Sequence, residues 1–289
     1  MKYQKFPKNF AEIADSYSNY ESSKAAILPF PYEKTTCYGK GTEKGPEAII
    51  KASSQMELYD DELGNVFEVG ICTLNELKVD EKPEQMPEIG CSNVQNLLKD
   101  NKFVVTLGGE HSITSGIVKA FREKFNDLSV LQIDAHADLR EDYEGTRYSH
   151  ACTMKRTIEI CPIVQVGIRS LSFEESEFIK EKKLKIFWAK DIFDNDNWFD
   201  EAISRLSKNV YITIDLDGFD PSIMPSVGTP EPGGLGYYQV LRFLKKVCEK
   251  KNVVGFDIVE LCPNENEVSS DFTAARLVYK LIGYKFMKH

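Results

Sequence analysis

The stretch LSVLQIDAHADLR (residues 128–140) joins a run of apolar, partly β-branched residues to a closely spaced set of polar ones. The apolar run is typical of a strand in a parallel sheet whose two faces are covered by helices. Asp134, His136 and Asp138 follow at alternate positions, and side chains at such positions share one side of an extended backbone. The spacing therefore predicts that these three side chains converge just beyond the end of a buried strand.

Further apolar runs alternate with helix-like segments, as in βαβ units. We expect strands at residues 103–107, 128–134, 162–168, 185–189, 210–217 and 253–261. Helical spacing of apolar residues predicts helices at 115–125, 172–183, 198–208, 237–250 and 269–286, the last with Ser270 or Asp271 near its cap. The Pro-broken segment 79–89 is expected to be a surface loop that enters a helix near 93–99. Because no linker or repeat is evident, we predict one α/β domain over residues 1–289.

Other predicted strands also end in charged groups. These are Glu110 and His111 after the first strand, Asp215, Asp217 and Asp220 at the fifth, and Glu260 at the sixth. Ligands of open α/β sheets bind beyond such strand ends. A single acid there is most often a turn former or a helix cap. Ionised carboxylates beside the apolar run VYITI, however, need a partner or a cation, and ITIDLDGFDP (212–221) contains no basic residue.

A metal is the economical explanation for this pattern. The candidate ligands are His111, Asp134, His136, Asp138, Asp215 and Asp217. They are too many for one tetrahedral zinc, but they suit two divalent ions that share carboxylates. A carboxylate-rich set with some imidazole favours Mn²⁺ over Zn²⁺, Co²⁺ or Fe²⁺. Because two-metal sites generate hydroxide near neutral pH, the pattern indicates hydrolysis. Of the remaining histidines, His150 lies nearby in sequence, and the terminal His289 is expected to be disordered.

Composition narrows the class of protein further. The 289 residues carry a formal net charge of −9 with a pI near 5.2, which argues against nucleic-acid binding and is compatible with a small cationic substrate. No run approaches the roughly 20 apolar residues of a membrane span, and the start lacks a secretory signal, so we expect a cytoplasmic protein. Seven cysteines without a CxxC pair are expected to be reduced thiols.

An ordered set of motifs resembles the ureohydrolase (arginase/agmatinase) family. The motifs are GKGTEKGPEAII (39–50), GGEHS (108–112), DAHADLR (134–140), SHACTM (149–154), TIDLDGFDP (213–221), EPGGL (231–235) and DIVELCP (257–263). GGEHS or EPGGL alone is a weak signal, whereas the whole set in this order is very specific. The resemblance implies a three-layer α/β/α, arginase/deacetylase-like fold with a mostly parallel sheet of about eight strands.

The resemblance also implies roles for individual residues. His111 and Asp138 would hold one manganese ion, His136 and Asp217 the other, and Asp134 and Asp215 would bridge them. His150 matches the catalytic histidine, a proton shuttle to the leaving amine, which suits an imidazole near neutral pH. Glu260 matches the acid that orients the substrate guanidinium, a planar fork that a carboxylate can pair. GGEHS has glutamate where many relatives have aspartate, and Glu110 is expected to act as a partner of the ligand His111.

The substrate is predicted less directly than the reaction. The interval LREDYEGTRYSHACT (139–153) lacks the arginase SGN element and resembles the agmatinase branch, as do GIRSLS (167–172) and VELCPN (259–264). The acids Glu141, Asp142 and Glu144 could favour the second amine of agmatine, whereas Arg147 could meet the carboxylate of 4-guanidinobutyrate. The leading prediction is thus an agmatinase that releases putrescine and urea.

Three alternatives stay open. The chain could be a guanidinobutyrase, an arginase, or a non-catalytic metal-binding paralogue that regulates polyamine metabolism. A deacetylase-like site is disfavoured because the sequence has no adjacent histidine pair. The family resemblance also implies a homo-oligomer, either a trimer or a hexamer.

Overall fold

The computed structural model describes residues 2–79 and 82–287. In this part of the chain a nine-stranded sheet has the order β1-β5-β2-β6-β11-β10-β7-β8-β9, and β3 and β4 form a separate ribbon. The strands are β1 (Tyr3–Gln4), β2 (Ala25–Phe30), β3 (Tyr59–Asp60), β4 (Gly64–Asn65), β5 (Ile71–Leu74), β6 (Phe103–Gly108), β7 (Leu128–Ile133), β8 (Ile163–Ile168), β9 (Ile186–Trp188), β10 (Asn209–Asp215) and β11 (Asn252–Val259).

Helices connect most of these strands. They are α1 (Asp15–Ser18), α2 (Gly45–Ser53), α3 (Met86–Lys99), α4 (Thr114–Lys124), α5 (Thr153–Ile158), α6 (Phe173–Lys182), α7 (Ala189–Ile192), α8 (Phe199–Arg205), α9 (Tyr237–Lys250) and α10 (Ser269–Phe286). Short 3₁₀ turns include His111–Ile113, His150–Cys152 and Leu216–Gly218. None of the helices in residues 2–79 and 82–287 has the length and apolar content that crossing a membrane requires.

The sheet separates two apolar layers. Ala26 and Leu28 of β2 belong to the cluster that contains α3 and α4, whereas Ala25 and Ile27 belong to the one that contains α2, α9 and α10. This alternation follows from the pleat, which points successive side chains to opposite faces. Neighbouring strands pair in parallel except β1, which pairs antiparallel with β5. The three-layer α/β/α architecture and the mostly parallel sheet confirm the predicted fold class.

The N-terminal strands β2 and β5 were not predicted. β2 contains Pro29, which argues against an interior strand because proline cannot donate to the ladder. In the structure β5 pairs with β2 only as far as Ile27, so Pro29 lies beyond the end of that pairing. β5 itself has four residues, too few for a clear periodic pattern.

Two local predictions were wrong. The predicted loop 79–89 contains a 3₁₀ turn, Pro83–Gln85, and α3 already begins at Met86 with a proline in its first turn, where proline is tolerated. Asp80 and Glu81 of that loop lie outside the described residues, as does His289, which was expected to be disordered. The helix α10 begins at Ser269 with Val268 at its cap position. Ser270 and Asp271 therefore lie within its first turn, where the Ser270 hydroxyl donates to Glu267.

Candidate metal centre

All of the predicted ligands lie at or just beyond the carboxyl ends of neighbouring strands. β6 leads to His111, β11 to Glu260, β10 to Asp215 and Asp217, and β7 to Asp134, His136 and Asp138. These four strands are consecutive in the sheet in the order β6-β11-β10-β7. Because parallel strands bring their carboxyl ends to one edge, the six predicted ligands and Glu260 meet at one place.

The backbone reaches this arrangement partly by extended segments and partly by turns. β7 ends at Ile133, and Asp138 has a φ of 53° in the left-handed region, which few non-glycine residues adopt. Asp215 ends β10, and its side chain accepts the backbone N–H of Asp217 in the following 3₁₀ turn. The convergence was predicted from alternation along extended backbone, and this holds only in part. His136 still makes a parallel bridge with Ser170, whereas Asp138 and Asp217 lie in turns.

The first ligand group surrounds His111. The donor atoms of His111, Asp134 and Asp215 all lie within 4.8 Å of one another. Nδ1 of His111 is 3.2 Å from Asp134 Oδ2, 3.0 Å from Asp138 Oδ2 and 3.4 Å from Asp215 Oδ2. That nitrogen is buried and has no hydrogen-bond partner among the described residues. A buried nitrogen that faces three carboxylates and lacks a hydrogen bond fits the coordination of a cation.

The second group surrounds His136. The donor atoms of Asp134, His136 and Asp217 also lie within 4.8 Å of one another. His136 Nδ1 is 2.8 Å from Asp217 Oδ2 and 3.7 Å from Asp134 Oδ1. Asp134 belongs to both groups, as a bridging carboxylate would. Asp215 and Asp138 lie with His111, and the bridging role of Asp215 stays a prediction.

Burial and neighbouring charges shift the pKa values of the carboxylates in this cluster. Burial, together with the charges of Asp138 and Asp217, raises the pKa of Asp134 to about 7. Burial and the charges of Asp217 and Asp134 raise the pKa of Asp215 well above its usual range. Burial also acts on Asp217, but its ion pair with His136 lowers its pKa to about 2. Divalent ions would stabilise the ionised form of all these carboxylates at once.

A buried carboxylate orients the His111 ring from the far side. His111 Nε2 is 2.8 Å from the hydroxyl of Thr213, and that hydroxyl donates to Asp257 at 2.5 Å. Thr114 and Tyr211 also donate to Asp257. Since Thr213 gives its proton to Asp257, its oxygen accepts Nε2–H of His111. In the neutral ring this leaves Nδ1 without a proton and facing the carboxylates, as a metal ligand must be. Asp257 and Thr213 were not singled out from the sequence.

Arg169 holds the loop that carries Asp217. Its guanidinium donates to backbone carbonyls that include Asp217 at 2.6 Å, Phe219 at 3.2 Å and Glu231 at 2.8 Å. The same group thus joins the DLDGFDP and EPGGL segments. Burial lowers the pKa of Arg169 from its ordinary value. The motif GIRSLS was noted only as a resemblance, and this structural role was missed.

His150 and Glu260 lie on the same cavity as the ligands. A small inner cavity of about 20 Å³ is lined by both residues together with His136, Asp138, Asp215 and Asp217. Glu260 is buried in a left-handed backbone conformation, φ 66°, and its Oε1 accepts the backbone N–H of His111 at 2.7 Å. Burial and the neighbouring charge of Glu110 raise the pKa of Glu260 well above its usual range.

An outer cavity of about 240 Å³ adjoins this site. Its walls include Cys37, Tyr143, Leu171 and Thr229, and it shares His136, Asp138 and His150 with the inner cavity. The loop at 36–39 lines the inner cavity and was not predicted to be near the site. A larger cavity of about 710 Å³ lies elsewhere, between the N-terminal residues and α2, away from every predicted ligand.

The acidic loop after β7 does not support a role in reading the substrate. Glu141 pairs with Arg147 at 3.2 Å and Arg156 at 3.1 Å, and Arg147 also pairs with Glu159 at 3.4 Å. Arg147 and Glu141 therefore compensate each other. Asp142 and Glu144 are exposed to solvent.

Comparison with known proteins places the chain in one family. A model described as the Arginase family matches residues 23–283. An N(1)-aminopropylagmatine ureohydrolase of Synechocystis sp. is 43% identical over 98% of this chain and 95% of its own length. A protein of the same name from Thermus thermophilus is 42% identical over 92% of both chains.

A solved structure gives the same result for the fold. The agmatine ureohydrolase of Thermoplasma volcanium has a TM-score of 0.87 and 34% sequence identity, over 96% of this chain and 94% of its own. The chain therefore belongs to the Arginase family, in its agmatinase branch, and is a hydrolase that acts on guanidino groups.

Proposed function

We propose that this enzyme hydrolyses the guanidinium group of an agmatine-like substrate and releases urea and an amine. Two histidine–carboxylate groups share Asp134 and lie at one edge of the sheet. The observation that carries the proposal is that residues of both groups line one cavity together with His150 and Glu260. Two divalent ions bound to these groups would supply an activated water and stabilise developing charge. The carboxylate-rich donor set favours manganese.

The chain's own residues account for substrate orientation and proton transfer. Glu260 is a buried acid that lines the inner cavity, and its carboxylate could pair with the guanidinium of a substrate. His150 lines the same cavity, where an imidazole can deliver a proton to the leaving nitrogen. Protonation of that nitrogen releases it as an amine.

Two substrates fit the outer cavity, agmatine and N1-aminopropylagmatine. The apolar and aromatic walls formed by Cys37, Tyr143 and Leu171 suit a methylene chain. Agmatine is the substrate that the sequence predicts. The two N(1)-aminopropylagmatine ureohydrolases, at 43% and 42% identity, favour the longer polyamine, and we propose it as the better substrate of the two.

Arg140 is a cationic side chain that could pair with a substrate carboxylate, such as that of 4-guanidinobutyrate. It lines the outer cavity, its guanidinium lies 5.0 Å from the ring centre of Tyr143, and its Nε is 3.9 Å from Glu175. The Glu175 carboxylate compensates part of its charge. We therefore rank 4-guanidinobutyrate below both amines.

Urea release decides between these possibilities. The manganese-loaded protein is assayed with N1-aminopropylagmatine, agmatine, 4-guanidinobutyrate and arginine, and kcat/KM is compared. The highest value with either amine supports the proposal, and the ratio of the two amines identifies the substrate. The highest value with arginine would overturn the assignment of branch. Two bound ions without urea from any guanidine would instead support the non-catalytic alternative.

The proposal extends to the setting of the enzyme. We also propose a cytoplasmic location and, from the family resemblance, a trimeric or hexameric assembly. Light scattering of the purified protein tests the assembly, and a monomeric mass would contradict it.

A further inference from the structure

Glu110 is a fully buried acid that the proposed reaction leaves unused. It follows β6 and precedes the ligand His111, yet its oxygens are directed at the loop after β2. Oε2 accepts the backbone N–H groups of Lys34 and Thr35, both at 2.7 Å. Oε1 accepts the hydroxyls of Thr35 at 2.7 Å and Ser112 at 2.5 Å. The carboxylate therefore fixes the loop and takes the only hydroxyl proton of Thr35.

The Thr35 oxygen is consequently an acceptor toward His150. It accepts the backbone N–H of His150 at 3.0 Å and lies 3.2 Å from the ring nitrogen Nδ1. A hydroxyl whose proton is already donated can satisfy Nδ1 only when that nitrogen carries a proton. In the neutral ring, the proton then resides on Nδ1, and Nε2 retains its lone pair.

We propose that Glu110, acting through Thr35, is a positioning residue that fixes the tautomer and orientation of the His150 imidazole. The inference rests on the proposed function, in which His150 transfers the proton. With Nδ1–H held by Thr35, Nε2 is the nitrogen that exchanges a proton in the cavity. The imidazolium that forms when Nε2 takes up a proton keeps the same hydrogen bond. Glu110 and Thr35 thus keep one ring geometry through both protonation states.

A second hydroxyl offers an internal comparison. Ser149 Oγ is also 3.2 Å from His150 Nδ1, but its proton is not donated to a described carboxylate, so it can rotate to either role. Only the Thr35 hydroxyl has its direction set by a buried charge. Ser149 is therefore a matched control for Thr35 at the same distance from the same nitrogen.

The contacts of Glu110 differ from those that its place beside His111 suggested. From the GGEHS motif we expected Glu110, in place of the usual aspartate, to be a partner of the predicted ligand His111. In the structure its side-chain contacts go to Lys34, Thr35 and Ser112. The support for the His111 ring comes from Thr213 and Asp257 instead. Glu110 therefore serves the proton-transfer histidine rather than the metal.

The test compares four variants in the manganese-loaded enzyme with the best substrate from the urea assay. Thr35→Val removes the acceptor at nearly constant volume, and we expect kcat to fall about 10- to 100-fold with KM and bound manganese unchanged. Thr35→Ser and Ser149→Ala should stay within about threefold of the parent. In Glu110→Gln the amide N–H can donate to Thr35, which frees the threonine proton to point at Nδ1, so kcat should fall as in Thr35→Val.

A double-variant cycle separates positioning from general support of the fold. In a His150→Asn background, Thr35→Val should cost almost nothing more, because the ring that it positions is gone. Full additivity would overturn the proposal, as would parent-level kcat in Thr35→Val. If Thr35→Val loses manganese or folds poorly, the same cycle with Glu110→Gln decides. Absence of urea from any guanidine with the parent enzyme would overturn the proposed function as well, whereas an active parent with an unaffected Thr35→Val overturns only this inference.

Discussion

The hydroxyl of Thr213 lies 2.8 Å from Nε2 of His111 and donates its proton to a fully buried acid, Asp257. The orientation of the His111 ring therefore depends on Asp257 through Thr213. Such partners of ligand histidines set ring orientation and the nitrogen that faces the metal. We expect Thr213→Val and Asp257→Asn to weaken manganese binding about 10- to 100-fold, measured by titration calorimetry. Thr213→Ser keeps the hydroxyl and is the control. Unchanged affinity in Thr213→Val would show that the ring is held by other contacts.

The two histidines on the cavity should fail in different ways. His136→Ala removes a nitrogen that lies 2.8 Å from Asp217, so bound manganese and activity should be lost together. His150→Asn should keep the manganese and lower kcat by about 10²- to 10⁴-fold, the usual contribution of a general acid–base group. Metal content by atomic absorption and urea release are measured on the same samples. A His150→Asn enzyme with an intact rate would refute the proton-transfer role.

Glu260→Gln tests whether the buried acid that lines the inner cavity recognises the guanidinium. The substitution keeps the shape and removes the charge, so kcat/KM should fall about 100-fold or more. Bound manganese should be retained. Asp142→Asn, on the exposed part of the acidic loop, is the control for loss of one negative charge and should leave kcat/KM unchanged. A large effect in that control would return the substrate-reading role to the loop.

Arg169→Lys should loosen the loop that carries Asp217. Lysine cannot reach the several carbonyls that the planar guanidinium joins, and buried carbonyls would lose their donors. We expect a loss of about 1–3 kcal/mol in the free energy of unfolding, and weaker manganese binding. Arg205→Lys is the control, since Arg205 makes an exposed ion pair with Glu201 at 3.0 Å. Equal stability of the two variants would contradict the role of Arg169.

Metal binding should be coupled to the release of protons. Without cations the pKa of Asp134 is raised to about 7 and that of Asp215 well above its usual range, so both must lose protons to bind an ion. Manganese affinity should therefore rise with pH through neutrality. The metal-free protein should behave oppositely. The pKa of Asp134 is 3.8 in the unfolded chain and about 7 in the folded one, so between these pH values the folded state binds the extra proton. The free energy of unfolding of the metal-free protein therefore falls as pH rises from about 4 to about 7.

Calorimetry in two buffers of different ionisation enthalpy measures the released protons, and thermal unfolding with and without manganese measures the stability. The increase in Tm on adding manganese should be larger near pH 8 than near pH 6. An increase that is independent of pH would show that the ligands are already deprotonated in the metal-free protein.

The sequence predicted which residues gather at the candidate metal centre but not the way in which they are assembled. Asp215 was recognised because a carboxylate that follows an apolar strand needs a partner. The same argument could have identified Asp257, which lies inside the apolar run VVGFDIVEL, and Gln132, whose amide donates to Asp134 at 2.6 Å. Thr35 has no comparable signal, because its role depends on Glu110, which lies 75 residues away in sequence.

Strand order was also beyond reach of the local pattern. Apolar runs located the interior strands β6, β7, β10 and β11, whereas their adjacency depends on pairings between distant segments. The short β5 and the proline-containing β2 were missed for local reasons. The sequence thus predicted a mostly parallel sheet with polar residues at the carboxyl ends of its strands. The structure shows which strands are neighbours, and this adjacency brings the separate polar residues together.

The order of the four central strands has a consequence for how the molecule is made. β6 and β7 are synthesised early, yet β10 and β11 lie between them in the finished sheet. The middle of the sheet is therefore filled last, by segments that leave the ribosome after most of the chain. The two ligand groups need Asp215 at the end of β10 and Asp217 in the turn after it, so a nascent chain that stops before Asp215 lacks a complete ion-binding set. Tight binding of manganese during synthesis would thus show that β10 and β11 have entered the sheet. A chain truncated in α9 lacks β11, and we expect it to form neither the middle of the sheet nor the metal site.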